Sequence, residues 1–277
     1  MRLSSLKPGV EIIPALLIFH AFAAYAVFFT TPSVHLLVTT LVLYVVTGLG
    51  ITVGYHRYFA HRGFKTPKVV AYALAIIGSA ACQGPLRWWV GHHRAHHRGP
   101  DTERDPYNAR RGFWYSHLLW LHAQDWAVDQ SEDHPYATMT RDIAADQFLA
   151  FLSKSWVYMT VFVVLLPLAV IAIFGFEVFL WVIAVRLVIV WNITFAVNSV
   201  THRWGYRNYR TDDLSTNHPL VGILALGEGW HNNHHAKPRL AQHGHKWWEF
   251  DLSWKLIQLL QVLGLAKDVK CLNESAT

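Results

Sequence analysis

Residues 34–61 read VHLLVTTLVLYVVTGLGITVGYHRYFAH, an apolar stretch with no Lys, Arg, Asp or Glu before Arg57, running straight into His56 and His61. A hydrocarbon core of about 30 Å takes roughly 20 apolar residues in helix, so residues 34–53 can span a bilayer and deliver the histidines to its surface. Three further stretches qualify, at about 12–29, 156–176 and 178–197. Only Thr30, Thr31, Pro32 and Ser33 separate the first two, and a turn at Gly175, with Glu177 as its only charge, joins the last two. The pattern predicts an all-α integral membrane protein with four transmembrane helices in two hairpins.

Composition agrees. Hydrophobic residues make up 53% and charged residues 15% of the 277 residues, against averages of about 45–50% and about 25%, which excludes an ordinary soluble globule and a disordered chain. The cations lie in the leader (Arg2, Lys7) and after the second and fourth spans. The positive-inside rule then puts both termini and both large segments, about 54–155 and 198–277, in the cytoplasm. The first apolar run is too long for a cleavable signal and no small-residue cleavage site follows it. Arg186 falls inside the fourth span, where it must face the bundle and pair, or the helix must be offset. Residues 69–82 are apolar but short, and read as an interfacial or re-entrant helix ending at Gly84 and Pro85. The net charge of +6 carries no basic run interleaved with stacking aromatics, so nucleic acid is not the expected partner. Cys82 and Cys271 form neither a metal spacing nor a disulfide framework.

The 18 histidines are the feature that greasiness does not explain. His93-Arg94-Ala95-His96-His97 and His231-Asn232-Asn233-His234-His235 repeat one spacing, and i, i+3, i+4 share a helix face, so each triplet can serve one site. His56 and His61 are five apart, about 140° on an α-helix, and converge only if the helix unwinds near Gly63. A lone histidine is ordinarily a surface or hydrogen-bonded residue. His20, His35, His117, His122, His134 and His218 are read that way, as is the out-of-phase His92, with His243 and His245 solvated. The eight clustered imidazoles exceed the four ligands of one tetrahedral zinc, so two metals are implied. Imidazole alone does not choose among iron, copper, nickel and zinc. Carboxylates are missing from the motif positions, unlike the di-iron bundles built on Glu and Glu-x-x-His. Asp101, Asp105, Asp212, Asp213 and Glu228 are the candidates to orient the imidazoles from behind.

The order HRYFAH (56–61), HRAHH (93–97) and HNNHH (231–235) resembles the three histidine boxes of membrane fatty acyl desaturases of the stearoyl-CoA Δ9 type. The flanking text extends the match: GYHRYFAHRGFKTPK, WVGHHRAHH, DPYNARRGFWYSH, NSVTHRWGYR and GEGWHNNHH, together covering roughly residues 35–240. The resemblance implies one desaturase domain over residues 1–277, with four membrane helices and a cytoplasmic helical cap holding two irons. Nine histidines would be ligands: His56, His61, His93, His96, His97, His202, His231, His234 and His235, with Asn198 reaching iron through water. It further implies O2-dependent insertion of a cis double bond, Δ9 by type, into a saturated acyl chain lying in a bent tunnel walled by Trp89 and Gln83.

Family members from animals that act on acyl-CoA carry basic residues where this chain has Gly91 and the run His122-Ala123-Gln124-Asp125. Acyl-CoA, a membrane glycerolipid and acyl carrier protein therefore stay open, with Arg87, Arg94, Arg110 and Arg111 left as cations to receive phosphates. Tyr44, twelve residues before His56 and about 18 Å down an α-helix, is placed to block a long methyl end, which predicts palmitoyl over stearoyl. No HPGG haem motif occurs, so electrons are expected from a separate ferredoxin or cytochrome b5 type protein, and the positive charge favours an acidic one. The rivals are a hydroxylase on the same irons, a membrane zinc hydrolase, and a metal transporter or haem-binding electron carrier. The transporter and the carrier would place histidines at membrane mid-depth, whereas all three boxes fall outside the spans.

Overall fold

The computed structural model describes residues 12–123 and 136–272, so that Arg2, Lys7, Gln124, Asp125 and His134 lie outside the described residues. Every regular element among those described is a helix, with three isolated β-bridges and no ladder. Three helices are long and apolar enough to cross a membrane: Val34–Ala60, Ser155–Phe174 and Phe176–Ser199. Ile12–Phe29 is also a helix; its described apolar portion, Pro14–Phe29, is shorter. Gly175, at φ +90°, separates the last two long helices in a conformation that favours glycine.

The second helix corrects the sequence reading. It does not stop with the 34–53 span but continues to Ala60, and its last eleven residues, Gly50–Ala60, are π-wound. The amide of His61 donates to the carbonyl of His56 at 3.0 Å, a five-residue closure. In a π-turn residues five apart stack above one another. His56 and His61 converge because the coil widens and stays continuous through Ala60, and the turn at Gly63, whose amide donates to the Arg57 carbonyl at 2.8 Å, comes after both.

Lys68–Ser79 is the short apolar helix expected near 69–82, and it lies against the π-wound segment. A Cβ on Gly50 would stand 2.4 Å from the amide nitrogen of Gly78, and one on Gly78 would stand 2.6 Å from the Tyr55 ring. The crossing requires glycine on both sides. Arg186 is buried in the bundle, donating to Val182 O at 2.8 Å, Thr47 Oγ1 at 3.0 Å and Ala80 O at 3.1 Å. Of the two outcomes expected for this residue, it faces the bundle, where its charge meets a carbonyl just past the 68–79 helix C-terminus.

Candidate metal centre

Four elements bring the histidines together. The π-wound segment supplies His56 and, as the residue that caps it, His61, the Leu86–Arg98 helix supplies His93, His96 and His97, and the His231–Ala236 helix supplies the third box. His202 stands just beyond the Phe176–Ser199 helix. The imidazoles form two sets: His56, His61, His93, His97 and His234, and separately His96, His202, His231 and His235, each with ligand atoms within 4.8 Å of one another. Each triplet is therefore divided between two sets, where the spacing alone suggested one site per triplet. Within the second box His93 and His97 turn one way and His96 the other, and the third box mirrors this with His234 against His231 and His235. His202, an ordinary residue by spacing, sits fully inside the second set.

Carboxylates stand behind four of these rings. Nδ1 of His56 meets Glu228 Oε2 at 2.5 Å, His96 meets Asp105 at 2.8 Å, His202 meets Asp101 at 3.0 Å and His235 meets Asp213 at 2.7 Å. Asp212, the fifth candidate, is exposed. An ionised carboxylate only accepts, so each of these rings carries its proton on Nδ1 and turns the Nε2 lone pair inward. There Nε2 atoms pair at 3.1 Å (His56–His234), 2.7 Å (His61–His93), 2.9 Å (His97–His234), 3.2 Å (His96–His235) and 3.0 Å (His202–His231). Two ligand nitrogens about 2.1 Å from one metal ion and at right angles to each other lie about 3 Å apart. The donor sets fit metal ions.

Electrostatics point the same way. Burial, with neighbouring imidazoles, drives His61, His93, His97, His231 and His234 well below the usual histidine range and His235 down to about 4. Burial also works on His96, but Asp105 outweighs it and raises that ring. Burial alone would raise Asp101, yet the hydrogen bond from His202 brings it to about 2, and His235 lowers Asp213 in the same way. Neutral imidazoles and ionised carboxylates are the protonation states that metal binding needs.

Sequence reasoning missed His243. It is buried, not solvated, with Nδ1 3.3 Å from Glu228 and its ring 4.4 Å from that of His234. With His56 and Glu228 it makes a third group of potential ligands. Nothing in its spacing announces it, because a loop returns it to the site. The Asn pair inside HNNHH is structural: Asn232 accepts from the amides of Asn208 and Tyr209, and Asn233 binds Asn217, Glu249 and the His243 carbonyl. Tyr107 places its hydroxyl 3.3 Å from His93 Nδ1. His92 lies outside both sets; it packs on Trp88 and its Nδ1 meets the Trp88 carbonyl at 2.8 Å.

Two adjoining cavities lie beside the imidazoles. Trp89, His93, Thr194 and Asn198 line both. One arm runs past Ile51 and Gly48 to Tyr44, whose hydroxyl donates to the Leu224 carbonyl; the other passes Gln83 toward Leu16 and Leu121. At the junction Trp89 donates to Gln83 at 3.3 Å and Gln83 to Thr194 at 2.8 Å. Asn198 is a wall residue of both cavities, beside His93. Arg94, one of the four cations open to phosphate, is engaged by Asp142 and by the carbonyls of Phe59 and Ala60.

Paired imidazole sets beside a bent apolar cavity are what the three-box resemblance requires, and comparison with known proteins agrees. Residues 31–257 match the fatty acid desaturase family. The chain belongs to that family. It is 45% identical over 232 residues to the sn-1 stearoyl-lipid 9-desaturase of Anabaena variabilis, covering 83% of this chain and 82% of that protein. It is 40% identical over 255 residues to the sn-2 palmitoyl-lipid 9-desaturase of Nostoc sp. (strain 36), covering 91% and 87%. The icosanoyl-CoA 5-desaturase of Limnanthes douglasii is 41% identical over 264 residues, covering 94% and 72%. This desaturase is thus an oxidoreductase that acts on fatty acyl chains, with a cluster of buried histidines suited to two metal ions.

Proposed function

We propose that the metals are two iron ions held by His56, His61, His93, His96, His97, His202, His231, His234 and His235, with Asn198 holding a water toward them, and that the enzyme forms a Δ9 cis double bond in a membrane-lipid acyl chain. The convergence of nine Nε2 donors in two sets, with His56, His93 and His231 reaching the wall of the cavities, is the observation that carries this reading. Irons in such a donor set supply oxygen activation and attack on an unactivated C–H bond, which side chains alone cannot do. Per double bond, one –CH2–CH2– unit, O2, two electrons and two protons become –CH=CH– and two waters.

The chain's own residues do the positioning. The Trp89, Gln83 and Thr194 bonds fix the waist of the cavity and bend the acyl chain there, which selects the two carbons presented to the imidazole sets. Apolar walls from Ile51, Val190, Ile193 and Val197 exclude water from one arm. Asp101, Asp105, Asp213 and Glu228 keep four rings in the tautomer that offers Nε2.

A bilayer lipid suits the cavity better than acyl-CoA. The arm ending at Tyr44 is walled by Leu224, on a short helix whose Leu220 and Ile223 are exposed apolar residues, and Arg94 is already paired. Two relatives named above act on lipid-borne chains by their names, one on a CoA thioester. The same reading arranges four spans in two hairpins, forms the remainder of one domain into a cap, puts both termini in the cytoplasm, and takes electrons from a separate ferredoxin or cytochrome b5 type donor. Expression in a desaturase-deficient host, with mass spectrometry of the lipids, tests it. Loss of two hydrogens at C9–C10 of glycerolipid chains is expected, whereas gain of one oxygen makes the enzyme a hydroxylase.

A further inference from the structure

Of the nine rings assigned to the metals, His231 and His234 have a buried Nδ1 with no partner among the described residues. His234 turns its Nε2 into the first set, 3.1 Å from that of His56 and 2.9 Å from that of His97. A ring that binds metal through Nε2 carries its proton on Nδ1, and that buried N–H needs an acceptor. Among the described residues, the one ring outside the nine that packs on either of these two is His243, 4.4 Å from His234 with the planes tilted by 33°.

The fold fixes His243 firmly. Its amide and that of Gly244 donate to Asp251 Oδ2 at 2.8 and 3.2 Å, and its carbonyl accepts from Asn233, the residue before His234, at 2.9 Å. The side chain is 1% exposed, with Nδ1 3.3 Å from Glu228 Oε2, the oxygen that also meets His56 Nδ1. An ionised carboxylate only accepts, so the proton facing it sits on His243 Nδ1 and leaves the Nε2 lone pair to accept. That Nε2 is buried too, and unpartnered among the described residues. His56, Glu228 and His243 do not make a third metal site, because Arg57 lies 2.9 Å from the same carboxylate and its fixed charge opposes a cation there.

We propose that His243 is a positioning residue for the first metal set: it accepts the Nδ1 hydrogen bond of His234 through one bridging water and, by sharing Glu228, steadies the ring of His56. It supports no ligand of the second set, where His96, His202 and His235 rest on Asp105, Asp101 and Asp213. The inference rests on the reading that the nine histidines hold two metals, and its signature is asymmetric: loss of the His243 imidazole loosens one metal and spares the other.

The probe is iron(II), bound to the full chain in lipid nanodiscs. Iron per chain and chelator competition are measured for wild type, for His243→Leu, which keeps bulk without polar atoms, and for His243→Gln, whose amide can donate to Glu228 and accept from His234. In His243→Leu one iron is expected to bind about 10- to 100-fold more weakly while the other binds as in wild type, and His243→Gln is expected to restore most of the loss. Two irons held at wild-type affinity by His243→Leu overturn the inference and leave the nine-ligand reading standing. Equal weakening of both irons, or a His243→Gln variant as weak as His243→Leu, also overturns it and marks a residue that only packs. Wild type that binds fewer than two irons overturns the nine-ligand reading, and the inference with it. A density map of the iron-loaded wild type gives a test that needs no variant to fold: a water between His243 Nε2 and His234 Nδ1 is expected, and His243 bound to iron itself overturns the positioning role.

Discussion

His96 and His235 face each other through Nε2 atoms 3.2 Å apart while Asp105 and Asp213 hold their opposite nitrogens. Both lone pairs point into the same gap, and only a shared cation, a proton or a metal ion, makes that arrangement favourable. Removing an orienting carboxylate frees the ring to flip or change tautomer. Asp213→Asn is expected to weaken metal binding about 10- to 100-fold. Chelator competition reads the affinity, and circular dichroism should show the helices intact; an unchanged affinity refutes the orienting role.

The buried histidines make the metal-free protein sensitive to acid. His235 and His243 titrate near 4 when folded, against about 6.5 unfolded. Between these values the unfolded chain binds protons that the folded one does not, so stability falls as pH drops from about 6.5 toward 4. His96 is raised and runs in the opposite sense, but the lowered rings outnumber it. Asp101, held to about 2, adds nothing in this window, because its contribution is lost only below about pH 4. Thermal unfolding of the metal-free protein in detergent should show a midpoint lower at pH 5 than at pH 7. A flat or inverted profile contradicts the burial argument.

Arg57 is fully buried between Glu228, at 2.9 Å, and Asp251, at 2.9 Å, and also donates to the Ala241 carbonyl. It ties the π-wound segment to the loop that carries His243. Taking one partner out of a buried ion network leaves charges uncompensated, at a cost of about 3–5 kcal/mol. Arg57→Met should therefore lower the unfolding midpoint sharply and release His56, whose Nδ1 depends on Glu228. A variant that unfolds like the wild type and retains both metals would falsify this.

What the sequence exposed and what it hid divide by range. Apolar length reveals the long helices, since it is a local property, and the spacing of 93–97 and 231–235 reveals histidines that cluster. Spacing could not reveal that each triplet is divided between two sets, because which way a ring turns depends on the helix packed opposite. The five-residue gap between His56 and His61 misled for a related reason: an α-helical wheel puts them apart, and the π-winding that brings them together begins at Gly50, where the segment meets Gly78 across a tertiary crossing. Asp101, Asp105, Asp213 and Glu228 could be nominated from proximity alone. His243 could not, because its place follows from Arg57 and Asp251 closing a loop across 194 residues of chain.

Tyr44 lines one cavity together with Gly48, Ile51 and Leu224, and its hydroxyl is bonded to the Leu224 carbonyl. Two explanations of such a residue differ in what they predict. If the ring is a stop for the methyl end, its volume matters; if the hydroxyl merely fastens the membrane helix to the cap, the bond matters. Tyr44→Phe removes the bond and retains the ring, and Tyr44→Ala removes both. A stop discriminating palmitoyl from stearoyl acts on two methylenes, worth about 0.8 kcal/mol each, roughly tenfold in relative rate. Tyr44→Ala is therefore expected to raise the stearoyl-to-palmitoyl rate ratio by about that factor in lipid vesicles, with Tyr44→Phe close to wild type. Equal ratios in wild type and Tyr44→Ala would show that the ring does not measure the chain, and an effect of Tyr44→Phe as large as that of Tyr44→Ala would assign selectivity to the fastening bond.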